Sequence, residues 1–185
     1  MSKHTWILVF TLAFAACGGG EPSPGQPGQP PRESPEDTPF LDPATVIDRP
    51  GAGQGVSTLA AVRYARHAGF ERVVFEFAGD PHPGYPAEYL TGPAIACGSG
   101  HTVQLPGAAR LEIRFTPARA HDDQGNATVA NRDVITNFPL LRALRLTCDF
   151  EADVTWVLAL AARRPFRVLE LQNPPRIVVD VQDGG

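Results

Sequence analysis

The sequence predicts an all-β fold, a small antiparallel β-sandwich or half-open barrel, preceded by a segment that does not fold. Two observations carry this. Apolar and polar residues alternate with a period of two along six stretches, and Pro, Gly and Asn punctuate them. Successive side chains of a strand leave on opposite faces, so such alternation marks strands with one face on a core and the other toward water.

Taken in order, Val56 to Arg66 reads as a first strand, with His67-Ala68-Gly69 as its turn. In Arg72-Val73-Val74-Phe75-Glu76-Phe77 the odd positions are apolar, and Arg72 and Glu76 stand at even ones. Leu111, Ile113 and Phe115 alternate with Arg110, Glu112 and Arg114 in the same manner. Leu144, Leu146, Cys148 and Phe150 alternate with Arg145, Thr147 and Asp149. Val154-Trp156-Leu158-Leu160, the run Phe166 to Leu171, and Ile177-Val179-Val181 complete the set, and Asn173-Pro174-Pro175 is the turn between the last two. A short helix is expected only within Asp133 to Leu141, where Pro139 limits it.

The N-terminus has a different character. Lys3 and His4 precede the apolar run Trp6 to Ala16, which has the length of a signal-peptide h-region and is too short to span a bilayer. It ends on Phe14-Ala15-Ala16-Cys17, which resembles the lipobox of bacterial lipoproteins. Phe14 departs from the usual Leu at its position. The resemblance implies cleavage before Cys17, lipidation of that cysteine, and attachment to a membrane, the outer one if the cell has two. Each buried methylene of such a lipid contributes about 0.8 kcal/mol, so two or more chains anchor stably. Residues 18–39 are rich in Gly and Pro, with a short acidic stretch from Glu33 to Asp37. With so little apolar surface the segment cannot offset the entropy of ordering, and its prolines favour an extended spacer. The expected organisation is a lipoprotein signal peptide at 1–16, lipidated Cys17 and a disordered linker over 17–44, and one β-domain over 45–185.

Formal net charge is −4 with no concentration of Lys or Arg, which argues against a nucleic-acid partner. Of three cysteines, one takes the lipid, leaving Cys97 and Cys148. Outside the cytoplasm an isolated pair commonly bonds, and the alternative is two buried free thiols. No CxxC or HxxxH pattern accompanies them.

Arg72-Val-Val-Phe-Glu-Phe, Arg167-Val-Leu-Glu-Leu and Arg176-Ile-Val-Val-Asp-Val share a base, an apolar stretch, an acid and an apolar close. A base and an acid four apart in a strand share its outer face. Arg72, Glu76, Arg167, Arg176 and Asp180 are therefore read either as cross-strand ion pairs or as a charged face that binds a polar polymer. Gly69 to Phe77 and Pro174 to Val181 resemble the opening and closing strands of the AMIN-like domain, a group of bacterial envelope lipoproteins related to the AMIN module. The segments Thr116 to Asp122, Asp149 to Trp156 and Arg163 to Val168 are similar to that group too. The resemblance implies a small β-sandwich that binds peptidoglycan or another envelope component. No amidase or secretin domain follows Gly185, so an attached cargo is not expected.

His121-Asp122-Asp123 is the one constellation to weigh for chemistry. As a polar loop before Gln124-Gly125-Asn126 it suits local Asx hydrogen bonds better than a metal or acid–base site. His82, between two prolines, and His101 read as exposed loop residues. No nucleophile signature or cofactor motif occurs. The expectation is a non-catalytic, cofactor-free, lipid-anchored envelope protein. The alternatives are an assembly lipoprotein without a glycan ligand and a metal-dependent hydrolase using His121 and Asp122.

Overall fold

A computed structural model describes residues 37–79 and 82–184. The signal segment, Cys17 and the linker up to residue 36 lie outside the described residues. Thirteen strands are described: β1 (Ile47–Arg49), β2 (Ser57–His67), β3 (Phe70–Ala78), β4 (Tyr85–Tyr89), β5 (Ala94–Ile95), β6 (Thr102–Val103), β7 (Ala109–Phe115), β8 (Ala118–Arg119), β9 (Asp133–Ile135), β10 (Leu141–Phe150), β11 (Asp153–Leu160), β12 (Phe166–Leu171) and β13 (Arg176–Gln182). They form a six-stranded sheet in the order β1-β4-β7-β11-β10-β9, a five-stranded sheet in the order β12-β13-β3-β2-β8, and the small β5-β6 hairpin. Pairing is antiparallel throughout except between β2 and β8.

The alternation read from the sequence places the core. Val73, Phe75 and Phe77 of β3 and Ile177, Val179 and Val181 of β13 point inward from the smaller sheet. Leu111, Ile113 and Phe115 of β7, with Trp156 and Leu158 of β11, meet them from the larger one. Phe75 lies 4.9 Å from Phe115 and 5.9 Å from Trp156, ring centre to ring centre, so aromatic edges interlock at the centre of the sandwich. The two-residue turn Ala68-Gly69 joins β2 to β3, with Gly69 in the left-handed region at φ 88°.

A second, smaller cluster lies on the outside of the larger sheet. Ala94 and Leu105 from the segment around the β5-β6 hairpin cover Ala143, Val157 and Ala159. This is why β11 is buried along both faces after its first residue. Gly107, at φ 86°, brings the end of that covering segment onto the Leu160 carbonyl so closely that a Cβ would collide with it. Cys97 and Cys148 are disulfide-bonded, tying the hairpin to β10.

The structure departs from the expected helix. Asp133 to Leu141 forms no helix: Asp133–Ile135 is an edge strand on β10, and Thr136 donates to the Leu141 carbonyl. The consecutive β-branched residues Val134, Ile135 and Thr136, followed shortly by Pro139, favour extended backbone. Residues ahead of Thr45 also pair with the sandwich. Leu41 and Phe166 exchange two backbone hydrogen bonds, of 2.7 and 3.2 Å, which fasten residues just ahead of β1 to the edge strand β12.

Candidate functional site

The five residues read as a charged face are placed on neighbouring strands, but not as an open surface. Register sets Arg167, Asp180 and Arg72 side by side across β12, β13 and β3. Arg72 donates to Asp180 from Nε to Oδ1 at 2.6 Å and from Nη2 to Oδ2 at 2.9 Å. Arg167 Nε donates to the same Oδ2 at 2.9 Å. Asp180 is 0% exposed and Arg167 5% exposed. Neither is open to solvent. The Arg167 guanidinium lies under the Phe40 ring at 4.5 Å and beside Phe70 at 5.3 Å, and its Nη1 donates to the Thr38 carbonyl at 2.8 Å. Burial of a carboxylate this complete requires such matched donors. Glu76 pairs instead with Arg63 at 2.6 Å, and Arg176 donates to the Pro174 and Gln172 carbonyls of its own turn. Cross-strand ion pairs, one of the two readings above, are what the geometry provides.

The loop candidates do not converge. His121 Nδ1 lies 2.9 Å from Asp149 Oδ1, and Asp149 also accepts from the Ala120 amide and pairs with Arg132. Asp122 turns inward on its own loop, accepting from the Gln124 and Asn126 amides and from the Asn126 side chain. The Asn126 hydrogen bonds hold the Asp122 carboxyl below the usual carboxylate range. Asp123 pairs with Arg119 at 2.5 Å. Among the described residues no three metal-binding side chains are gathered together.

A polar node joins the two sheets where the sequence suggested an exposed loop. His82 is 5% exposed, a correction to its expected placement. The cause is close backbone packing: the Gly84 and Gly51 backbones press so tightly that a Cβ on either would meet the other's amide nitrogen within 3 Å. His82 Nδ1 faces the Pro83 carbonyl at 3.0 Å, and its Nε2 lies 3.2 Å from Glu170 Oε2. Tyr85 donates to Glu170 Oε1 at 2.8 Å. Burial first, and Glu170 second, push the Tyr85 phenol well above its ordinary value, so it remains a donor. Glu170 stands three residues after Arg167 rather than four, which puts it on the opposite face of β12.

A concave feature lies on the outside of the larger sheet, beside the hairpin. Register sets Glu88 of β4 directly opposite Glu112 of β7, and Arg114 follows on the same face. With Pro86 they line a hollow of about 140 Å³. A neighbouring hollow of about 300 Å³ shares Glu112 and Arg114 and continues past Asp153 and Thr155 to the Cys97–Cys148 disulfide. Burial, and then the Glu88 charge, raise the Glu112 carboxyl above its usual range, while Arg114 pulls it back. Glu112 and Arg114 stand in the alternating run read from the sequence. Their convergence with Glu88 depends on the β4–β7 pairing, which no local pattern signals.

The class of protein is thus a two-sheet β-sandwich carrying a mixed-charge groove, with its buried ion pairs and loop carboxylates occupied by structure. The family model for the AMIN-like domain matches residues 57–183, two thirds of the chain, and the chain belongs to that family. No curated protein and no solved structure shows a match. Membership marks the domain as an envelope-associated module of a binding type.

Proposed function

We propose that this chain is a non-catalytic lipoprotein, held at Cys17, whose AMIN-like domain binds a component of the bacterial cell envelope, foremost peptidoglycan. The observation that carries this is the family match, which spans the sandwich from β2 to β13. Two features support it. The Phe14-Ala15-Ala16-Cys17 ending of the apolar leader and the Pro/Gly-rich spacer suit a domain tethered within reach of a polymer. The polar groups outside the groove are largely engaged with one another, which suits a rigid binding module more than an enzyme. Retention of the full-length chain, in detergent, on purified peptidoglycan sacculi at low salt tests the reading. Co-sedimentation that saturates is expected, and its absence at low salt would overturn wall binding in favour of an assembly role or a protein partner.

A further inference from the structure

We propose that the groove of Glu88, Glu112 and Arg114 binds a zwitterionic amino-acid group, an ammonium and a carboxylate carried close together. This deepens the wall-binding reading and rests on it only for the source of the ligand. Three observations carry it. First, Glu88 and Glu112 stand directly opposite on antiparallel strands, an arrangement in which like charges repel. Second, Glu112 is half-buried between the exposed Glu88 and Arg114, whereas the buried Glu71 and Asp180 each have a donor. Among the described residues Glu88, Glu112 and Arg114 have no hydrogen-bond or ion-pair partner, and no close pair forms even between Glu112 and Arg114. Third, these three lie in a hollow rather than on a convex surface, and that hollow opens into a larger one lined by Thr155 and Thr147.

The chemistry of the ligand follows from the charges. Two facing carboxylates without a donor suit an ammonium, which offers three N–H groups to share between them. A divalent cation fits less well, because Arg114 adds positive charge at the same place. Arg114 is two residues from Glu112 on one strand, about 7 Å along it. A carboxylate on the carbon that carries the ammonium spans that gap with one charge-assisted hydrogen bond at each end, each of about 2.8 Å. Neutral sugar hydroxyls would leave this separation of charge unused. The same group occurs in free amino acids and at the ends and side chains of peptides, including those that cross-link a cell wall.

The test uses full-length chain in detergent and two probes. Retention is measured on native sacculi, on sacculi with amines acetylated, and on sacculi with carboxyls amidated. Either modification is expected to weaken retention about tenfold, the effect of losing one charged contact. Glu112→Gln and Arg114→Gln should weaken binding to native sacculi and abolish the sensitivity to acetylation and amidation respectively. Glu112→Gln removes a repelled charge, so loss of binding there is not loss of fold. Equal retention on all three preparations overturns the inference while leaving wall binding intact. The second probe, free diaminopimelic acid at millimolar concentration, is followed by backbone amide shifts. Shifts confined to Glu88, Glu112 and Arg114 and their neighbours, absent with the N-acetylated compound, are expected. Such shifts without sacculus retention would sustain the site and move its ligand to a free amino acid, and no shifts would overturn the site whatever the sacculi do.

Discussion

The buried Asp180 shows most plainly what a single side chain does here. It accepts three hydrogen bonds from two guanidiniums in a dry setting, so its removal leaves two cations facing each other beneath aromatic rings. Asp180→Ala should cost about 3–5 kcal/mol in urea unfolding, the penalty for breaking a buried ion pair. Arg176→Ala, which loses only contacts within an exposed turn, should stay within about 0.5 kcal/mol. Glu112 has the opposite character. Its raised carboxyl holds its proton to higher pH in the folded chain than in the unfolded one. Stability is therefore lost as pH rises from the ordinary carboxylate range through the raised value. Glu112→Gln should raise Tm near neutral pH by about 1–3 °C, a figure kept small because the group is partly solvated, and by less in acid. A gain in stability with a loss of binding is the pattern of a site maintained against the fold's interest.

At the level of elements, the hairpin and its disulfide are the separable part. Bridging residues 51 apart in sequence removes loop entropy worth about 4 kcal/mol on the chain-entropy account. Cys97→Ser with Cys148→Ser should lower stability by about that amount in urea unfolding. The same variant should speed amide exchange in β5 and β6 before the central strands, because only Ala94, Leu105 and their neighbours then hold the hairpin down. The long strands β3, β7, β10 and β13 were legible because each has one face on the core, which writes itself as alternation, whereas β11 is apolar on both faces because the hairpin covers its outer side. β4 was not legible, although Tyr85, Ala87 and Tyr89 alternate too, because Pro86 argues against a ladder. The structure accommodates that proline where β4 is paired with β1 and β7 pairing has not yet begun. β5, β6 and β8 are too short for any periodicity. The outer face of β12 and β13 kept two readings in the sequence because the pattern of a charge that is exposed and one that is paired under aromatic rings is the same.

For the molecule as a whole, the proposed attachment is at Cys17, outside the described residues, and lipid on that cysteine can be measured directly. Metabolic labelling with a radioactive fatty acid should mark the wild-type chain and leave Cys17→Ser unlabelled and in the soluble fraction. Equal labelling of the two would show that Cys17 carries no lipid. The groove was only half legible at this scale. Glu112 and Arg114 lie in a recognised strand, whereas Glu88 joins them through a pairing of strands some twenty residues apart. His82 was missed for a similar reason, since its burial follows from two backbones meeting at Gly51 and Gly84 and not from anything in its own neighbourhood.

The place of β13 within the smaller sheet has a consequence for the order in which that sheet can close. β13 lies between β12 and β3, with β3 waiting on a partner about a hundred residues later in the chain. A polypeptide threaded through a membrane N-terminus first would deliver β2 and β3 early and could not close that sheet until β13 emerged. Non-local closure of this kind is slow. Once the final strand arrives, the buried Asp180 meets both Arg72 and Arg167, so the last strand to be made is the one that locks the sheet.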